Sequence, residues 1–188
     1  MSEYNQSVES RVPKTASAEE KLADIVEQLK NKYPDRVFYS IKDLENDNPK
    51  IKLSTITSWT KKLFGVTAFD YLVTQGIMKR PVFFDLQEEM ISLDDLNGKR
   101  LAFPTYHHFD SFAKQCIRSL GAIIEWDDGQ SPDYVIVTRR IQKEPEPDRW
   151  DMEAYTLLKK RDDGEFHFTV LPWDFVCILN DYIQQQYD

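Results

Sequence analysis

Cysteine, glycine and long apolar runs are all scarce in this sequence, and each scarcity removes a class of protein. Only Cys116 and Cys177 occur, so no disulfide framework is expected, and a reduced, cytoplasmic setting fits. Both cysteines fall at apolar helix positions, which predicts two small buried hydrophobes. Only six glycines occur in 188 residues. None of them builds a Gly-x-Gly-x-x-Gly turn after a strand, a Gly-Lys-Ser/Thr phosphate loop or a Gly-x-Ser-x-Gly elbow, so dinucleotide, nucleotide and hydrolase folds are not expected. No apolar run approaches the roughly 20 residues of a membrane helix. Met1-Ser2-Glu3-Tyr4-Asn5-Gln6 is polar and does not resemble a signal peptide.

Positive charge is scarce in one half only. The net charge is −8, but residues 1–80 hold 13 Lys and Arg against 11 Asp and Glu, whereas 81–188 hold 11 against 21. Phosphate contacts require clustered cations, so any nucleic acid would be met by the first half. The second half would repel a duplex at long range.

In order, residues 1–15 are polar and aperiodic and read as a mobile tail. Ser17-Ala18-Glu19-Glu20 matches a capping box. Leu22, Ile25, Val26, Leu29 and Tyr33 then form one apolar stripe on a helix that stops near Pro34. Arg36 to Ser40 is β-prone, and Glu45-Asn46-Asp47-Asn48-Pro49 reads as a turn. A second helix places Leu53, Ile56, Trp59, Leu63 and Phe64 on one face before Gly65, and Thr67 can cap a third. Residues 16–80 are thus expected to be a small bundle of three helices. The third helix offers Asp70, Thr74 and Gln75 but no cation, an unpromising helix for a major groove. Lys50, Lys52, Lys61 and Lys62 are the candidate nucleic-acid contacts, and a merely solvated basic face fits them as well.

Residues 81–95 read as an acidic connector, helical around Leu86 to Met90, with Val82, Phe83, Phe84 and Ile91 too apolar to stay free. From 96 to 188 the pattern is β-α-β-β-α-β-α. The strands are 100–103, 122–126, 133–138 and 166–171; the helices are 109–120, 149–160 and one from Pro172. The unbroken Tyr134-Val135-Ile136-Val137 predicts burial on both faces. The fold class expected is α/β: a small four-stranded parallel sheet flanked by helices, preceded by a small mainly helical bundle. Trp173 is expected to anchor the closing helix in the core.

Two resemblances follow from these residues. Lys32-Tyr33-Pro34-Asp35, Leu53-Ser54, Lys61-Lys62-Leu63-Phe64-Gly65 and Phe69-Asp70-Tyr71-Leu72 resemble a small module found beside other domains in bacterial proteins. Leu96-Asn97-Gly98-Lys99, Leu120-Gly121-Ala122, Asp133-Tyr134-Val135-Ile136-Val137 and Trp173-x-x-x-Cys177, over about residues 93–186, resemble a BRCT domain. That resemblance implies a non-catalytic binding module of DNA repair and replication proteins. Many BRCT domains hold a phosphate through a Ser/Thr-Gly pair after the first strand and a Lys near the second helix. Here Phe103-Pro104 stands in the first place, and Pro has no N–H to donate. Thr105 and Arg149 are the residues left to form such a pocket, with Trp150 adjoining.

No catalytic constellation is apparent. His107-His108 lacks companions at metal-ligand spacing, His167 sits between two Phe and is expected to face outward, and Asp127-Asp128 and Asp162-Asp163 each precede a turn Gly. The expectation is no enzyme, no cofactor, no metal and no membrane. The protein is read as an adaptor of DNA metabolism with a protein partner. In the alternative, it is a regulator whose bundle contacts DNA and whose BRCT-like half forms a homodimer.

Overall fold

The computed structural model describes residues 17–105, 109–126 and 129–188. The expected tail, the His107-His108 pair and Asp127-Asp128 lie outside them. The chain divides into two compact units, the first ending at Pro81 and the second spanning Val82–Asp188.

Among the described residues, the first unit contains four helices, α1 (Ala18–Lys32), α2 (Ile41–Asp47), α3 (Leu53–Phe64) and α4 (Ala68–Thr74). Three begin on a hydroxyl cap: Ser17 accepts from the Glu20 N–H at 3.2 Å, Ser40 from Asp43 at 3.1 Å and Thr67 from Asp70 at 3.1 Å. Helix α2 replaces part of the turn expected at 45–49. It buries only Leu44, so it has no periodic stripe to betray it, and its signal is the Ser40 cap. The α1 stripe Leu22, Ile25, Val26 and Leu29 packs with Phe38, Ile56 and Leu72. Phe38 reaches the end of the unit through a parallel bridge to Met78. Buried Asn48 ties the helices together. Its carbonyl oxygen accepts from Lys32 Nζ at 2.8 Å and Tyr33 OH at 3.2 Å, and its amide donates to Leu44 O at 3.0 Å.

The expected apolar face of α3 is only half correct. Leu53, Ile56 and Thr60 are the buried positions; Leu63 and Phe64 are exposed, as is every residue from 61 to 67. The last turn of the helix stands outside the core cluster, so these two side chains, though on the right side of the wheel, do not join it.

The second unit holds β1 (Val82–Phe83), β2 (Leu101–Ala102), α5 (Ser111–Ser119), β3 (Tyr134–Ile136), β4 (Gln142–Glu144), α6 (Met152–Asp162), β5 (Thr169–Leu171) and α7 (Trp173–Tyr187). Strands β2, β3 and β5 form a parallel sheet in that order, with Leu101 opposite Tyr134 and Val135 opposite Val170. Side-chain alternation then fixes the layers. Leu101, Ile136 and Leu171 join one core with Cys116 and Ile117 of α5 and Phe175 and Leu179 of α7. Val135, Val137 and Val170 join a second core with Ala154, Tyr155 and Leu158 of α6. Helices therefore cover both faces, as the apolar β3 run requires.

The sheet has three strands, not four. The segment expected as its second strand, 122–126, makes a single parallel bridge, Ile123 with Arg100. Leu101 donates to Ile123 O at 2.9 Å and Ile123 donates to Lys99 O at 2.8 Å. Beyond them Trp126 turns into its own loop, donating from Nε1 to Gln130 O at 3.3 Å. The glycines of the two motifs explain where the pairing starts. Gly98 donates to Gly121 O at 2.8 Å. A Cβ on Gly121, at φ +88°, would lie 2.1 Å from Asn97 Oδ1. Asp133 of the third motif accepts the Arg100 N–H at 2.9 Å, fixing the start of β2 against β3.

Residues 82–95, read from the sequence as a connector, belong to the second unit. Strand β1 pairs antiparallel with β4, which lies between the strand expected at 133–138 and the helix expected from 149. Phe84 is buried beside Tyr155, their ring centroids 5.7 Å apart. The helix expected around 86–90 is absent: Glu89 donates to Val170 O at 3.0 Å, and the Arg161 guanidinium holds the carbonyls of Asp85 and Leu86. These backbone groups are satisfied by the sheet and α6, leaving none for a helix.

Two side chains are corrected on α7. Its buried positions are Phe175, Val176, Leu179 and Ile183. Trp173, expected in the core, is 55% exposed, and Cys177, four residues on and hence on the same side, is exposed too. Cys116 is buried, as expected.

Candidate functional site

Strand β2 ends the sheet on the side where pairing is incomplete, and a cleft of about 600 Å³ opens there. Its floor is Leu101, Ala102 and Phe103; Ile124 to Trp126 line one side, and Glu153, Thr156 and Leu157 of α6 contribute another. It adjoins the carboxyl end of a parallel strand, where open α/β sheets commonly take ligands. Lys114 of α5 and Arg118 hold Glu125 at 3.5 and 3.6 Å. Each is a part-exposed pair of small energetic value. The Lys114 ammonium lies 6.0 Å from the Phe103 ring centre. Thr156 donates its hydroxyl to Met152 O at 2.8 Å, which occupies it within its own helix. The cleft thus combines an apolar floor, two aromatic side chains and charges at its margin, a recognition surface in its chemistry.

The two residues proposed for a phosphate pocket are not brought together by any hydrogen bond. Thr105 is buried; its hydroxyl accepts the Thr138 N–H at 2.9 Å and meets Thr138 Oγ1 at 3.1 Å. It pins the chain after β2 to the chain after β3. Arg149 is exposed, with its guanidinium 4.9 Å from the ring of the equally exposed Trp150. The N-cap of α6, Asp151, turns its carboxylate to Arg139 at 2.5 Å rather than to the helix. His167 is exposed, and its backbone N–H donates to Ser131 Oγ at 3.2 Å.

In the first unit, Lys50, Lys52, Lys61 and Lys62 are all exposed. Lys52 is the N-cap of α3, and Lys61 and Lys62 are in its last turn, so about 14 Å of helix separates the two pairs. The second pair borders a feature that residue types alone did not reveal. Phe64, 47% exposed, lies parallel to Tyr71 of α4, with centroids 5.3 Å apart and planes 7° apart. Burial, with Glu19 adding its charge, raises the Tyr71 phenol above its ordinary pKa. On the same helix, hydrogen bonds from Arg80 and then Thr67 hold the Asp70 carboxyl below its ordinary value. Among the described residues no group of His, Cys, Asp and Glu is arranged to hold a metal ion, and no helix is long and apolar enough to cross a membrane.

Neither a protein-family model, nor a curated protein, nor a solved structure matches this chain.

Proposed function

We propose that the chain is a non-catalytic adaptor serving DNA metabolism, whose second unit is a BRCT-like domain that binds a protein partner as an extended segment along β2. One observation carries the reading: β2 is paired on its outer side only as far as Ile123, and a cleft of about 600 Å³ lies beyond that point. A partial edge of this kind offers backbone donors and acceptors to an incoming strand, and neighbouring pockets select alternate side chains. Ala102 and Phe103, both partly exposed, alternate in direction, so an added strand would find apolar surface on both sides. The helices on each side and the four sequence motifs support the BRCT-like assignment. Thr105, committed to Thr138, gives no support to phosphate as the recognised group.

Selection of a random displayed peptide library on the full-length chain tests this. Peptides with alternating apolar residues are expected, and their binding should fall ~10-fold or more in Ala102→Arg, which fills the cleft. Binding should be unchanged in Trp173→Ala. No enriched peptide, or binding indifferent to Ala102→Arg, would remove the proposal.

A further inference from the structure

The last turn of α3 carries a combination that its fold does not use. Residues 61–67 are exposed throughout, and among them Leu63, Phe64 and Val66 are apolar and 37–47% exposed. Phe64 neither belongs to the core cluster nor packs against it, whereas Trp59 and Tyr71 pack against it. Tyr71 lies parallel to the Phe64 ring to within 7°, and 47% of Phe64 stays exposed. Lys61, three residues before Phe64, shares its side of the helix, and neither Lys61 nor Lys62 pairs with a carboxylate among the described residues. The one acid on α4, Asp70, is already engaged by Arg80.

We infer that this corner binds single-stranded nucleic acid, with a base stacked on Phe64 and the neighbouring phosphates met by Lys61 and Lys62. Flat aromatic faces flanked by cations suit single strands, whose bases are free to stack, and the match needs no particular base. Charge complementarity points the same way: residues 17–81 hold 11 Lys and Arg against 9 Asp and Glu in a chain of net charge −8. A duplex hides its base faces, and α4, the helix that would have to enter a groove, is seven residues long. That is about 10 Å, and the helix has no Lys or Arg.

The test uses the full-length chain with fluorescent oligothymidine and the corresponding duplex, followed by anisotropy at about 20 and about 200 mM salt. Single strands should bind ~10-fold or more tightly than duplex. Phe64→Ala should weaken binding by ~10-fold or more, and Phe64→Trp should retain it. Lys61→Ala with Lys62→Ala should lower the slope of log affinity against log salt by ~1.4; Lys42→Ala, on α2, should not. Equal or tighter duplex binding would overturn the inference. So would indifference to Phe64→Ala, competition by polyglutamate as effective as by oligothymidine, or no binding at the lower salt. None of these outcomes bears on the β2 cleft.

Discussion

Gly121 sets where the incomplete edge begins, and replacing it should be costly for a reason that can be separated from glycine's general freedom. Its φ is +88°, and that of Gly98, its hydrogen-bonded partner, is +75°. An L side chain in this left-handed region costs about 1–2 kcal/mol wherever it occurs. At Gly98 that is the whole cost, because a Cβ there meets nothing within 4 Å. At Gly121 the Cβ would also fall 2.1 Å from Asn97 Oδ1, 3.0 Å from its Cγ and 3.1 Å from its backbone Cα. The side chain can swing away, but the Cα cannot without moving the turn that begins β2. Such overpacking adds about 1–3 kcal/mol. Gly121→Ala should therefore destabilise the second unit by about 2–5 kcal/mol, against about 1–2 kcal/mol for Gly98→Ala. Urea titration followed by far-ultraviolet circular dichroism measures both. Adding Asn97→Ala should recover part of the Gly121→Ala loss, because it removes the two side-chain clashes and leaves the one to the Cα. Equal costs for the two alanine variants would refute the close-approach account, leaving only the backbone conformation.

The remaining expectations concern single side chains. Phe175→Ala should destabilise the second unit by about 3–5 kcal/mol, while Trp173→Ala, at an exposed position, should stay within about 0.5 kcal/mol. The same denaturation curves decide it, and a large loss for Trp173→Ala would restore it to the core. Cys177 should react with a thiol reagent in the native protein, and buried Cys116 only as the protein unfolds; simultaneous labelling would contradict the α7 orientation. The folded carboxyl of Asp70 titrates below its ordinary 3.8 through hydrogen bonding to Arg80 and then Thr67. Its contribution to stability is thus present above the ordinary value and lost as pH falls through the lowered one. Arg80→Ala should move the carboxyl titration, read by NMR, upward; an unmoved titration would show that the pair does not persist in solution.

The parts of the fold legible in the sequence were those written in neighbouring residues. Ser17 and Thr67 announce helix starts because capping is a contact over three positions, and the structure has both. The apolar centre of 133–138 announces a strand covered on two sides, and Val135, Ile136 and Val137 do fall into two cores. Helix α2 escaped because one buried leucine makes no period. Strand β4 escaped because Gln142-Lys143-Glu144 has the composition of a loop; its pairing depends on β1, some 60 residues earlier. The candidate Lys61 and Lys62 were legible by type, but their aromatic neighbour as a stacked, open ring was not.

By itself, then, the sequence determined the mixed class of the second unit, the capped starts of α1 and α4, the parallel sense implied by alternating strands and helices, and the glycines at which the chain must turn. These are local steric and hydrogen-bonding requirements. Only the tertiary structure decided that the segment at 122–126 leaves β2 after one bridge, that Trp173 and Cys177 face outward and that Phe64 projects past the core. Periodicity reports which side chains share a face. Which face meets a partner, and where an element outruns its neighbours, depends on packing between distant parts of the chain.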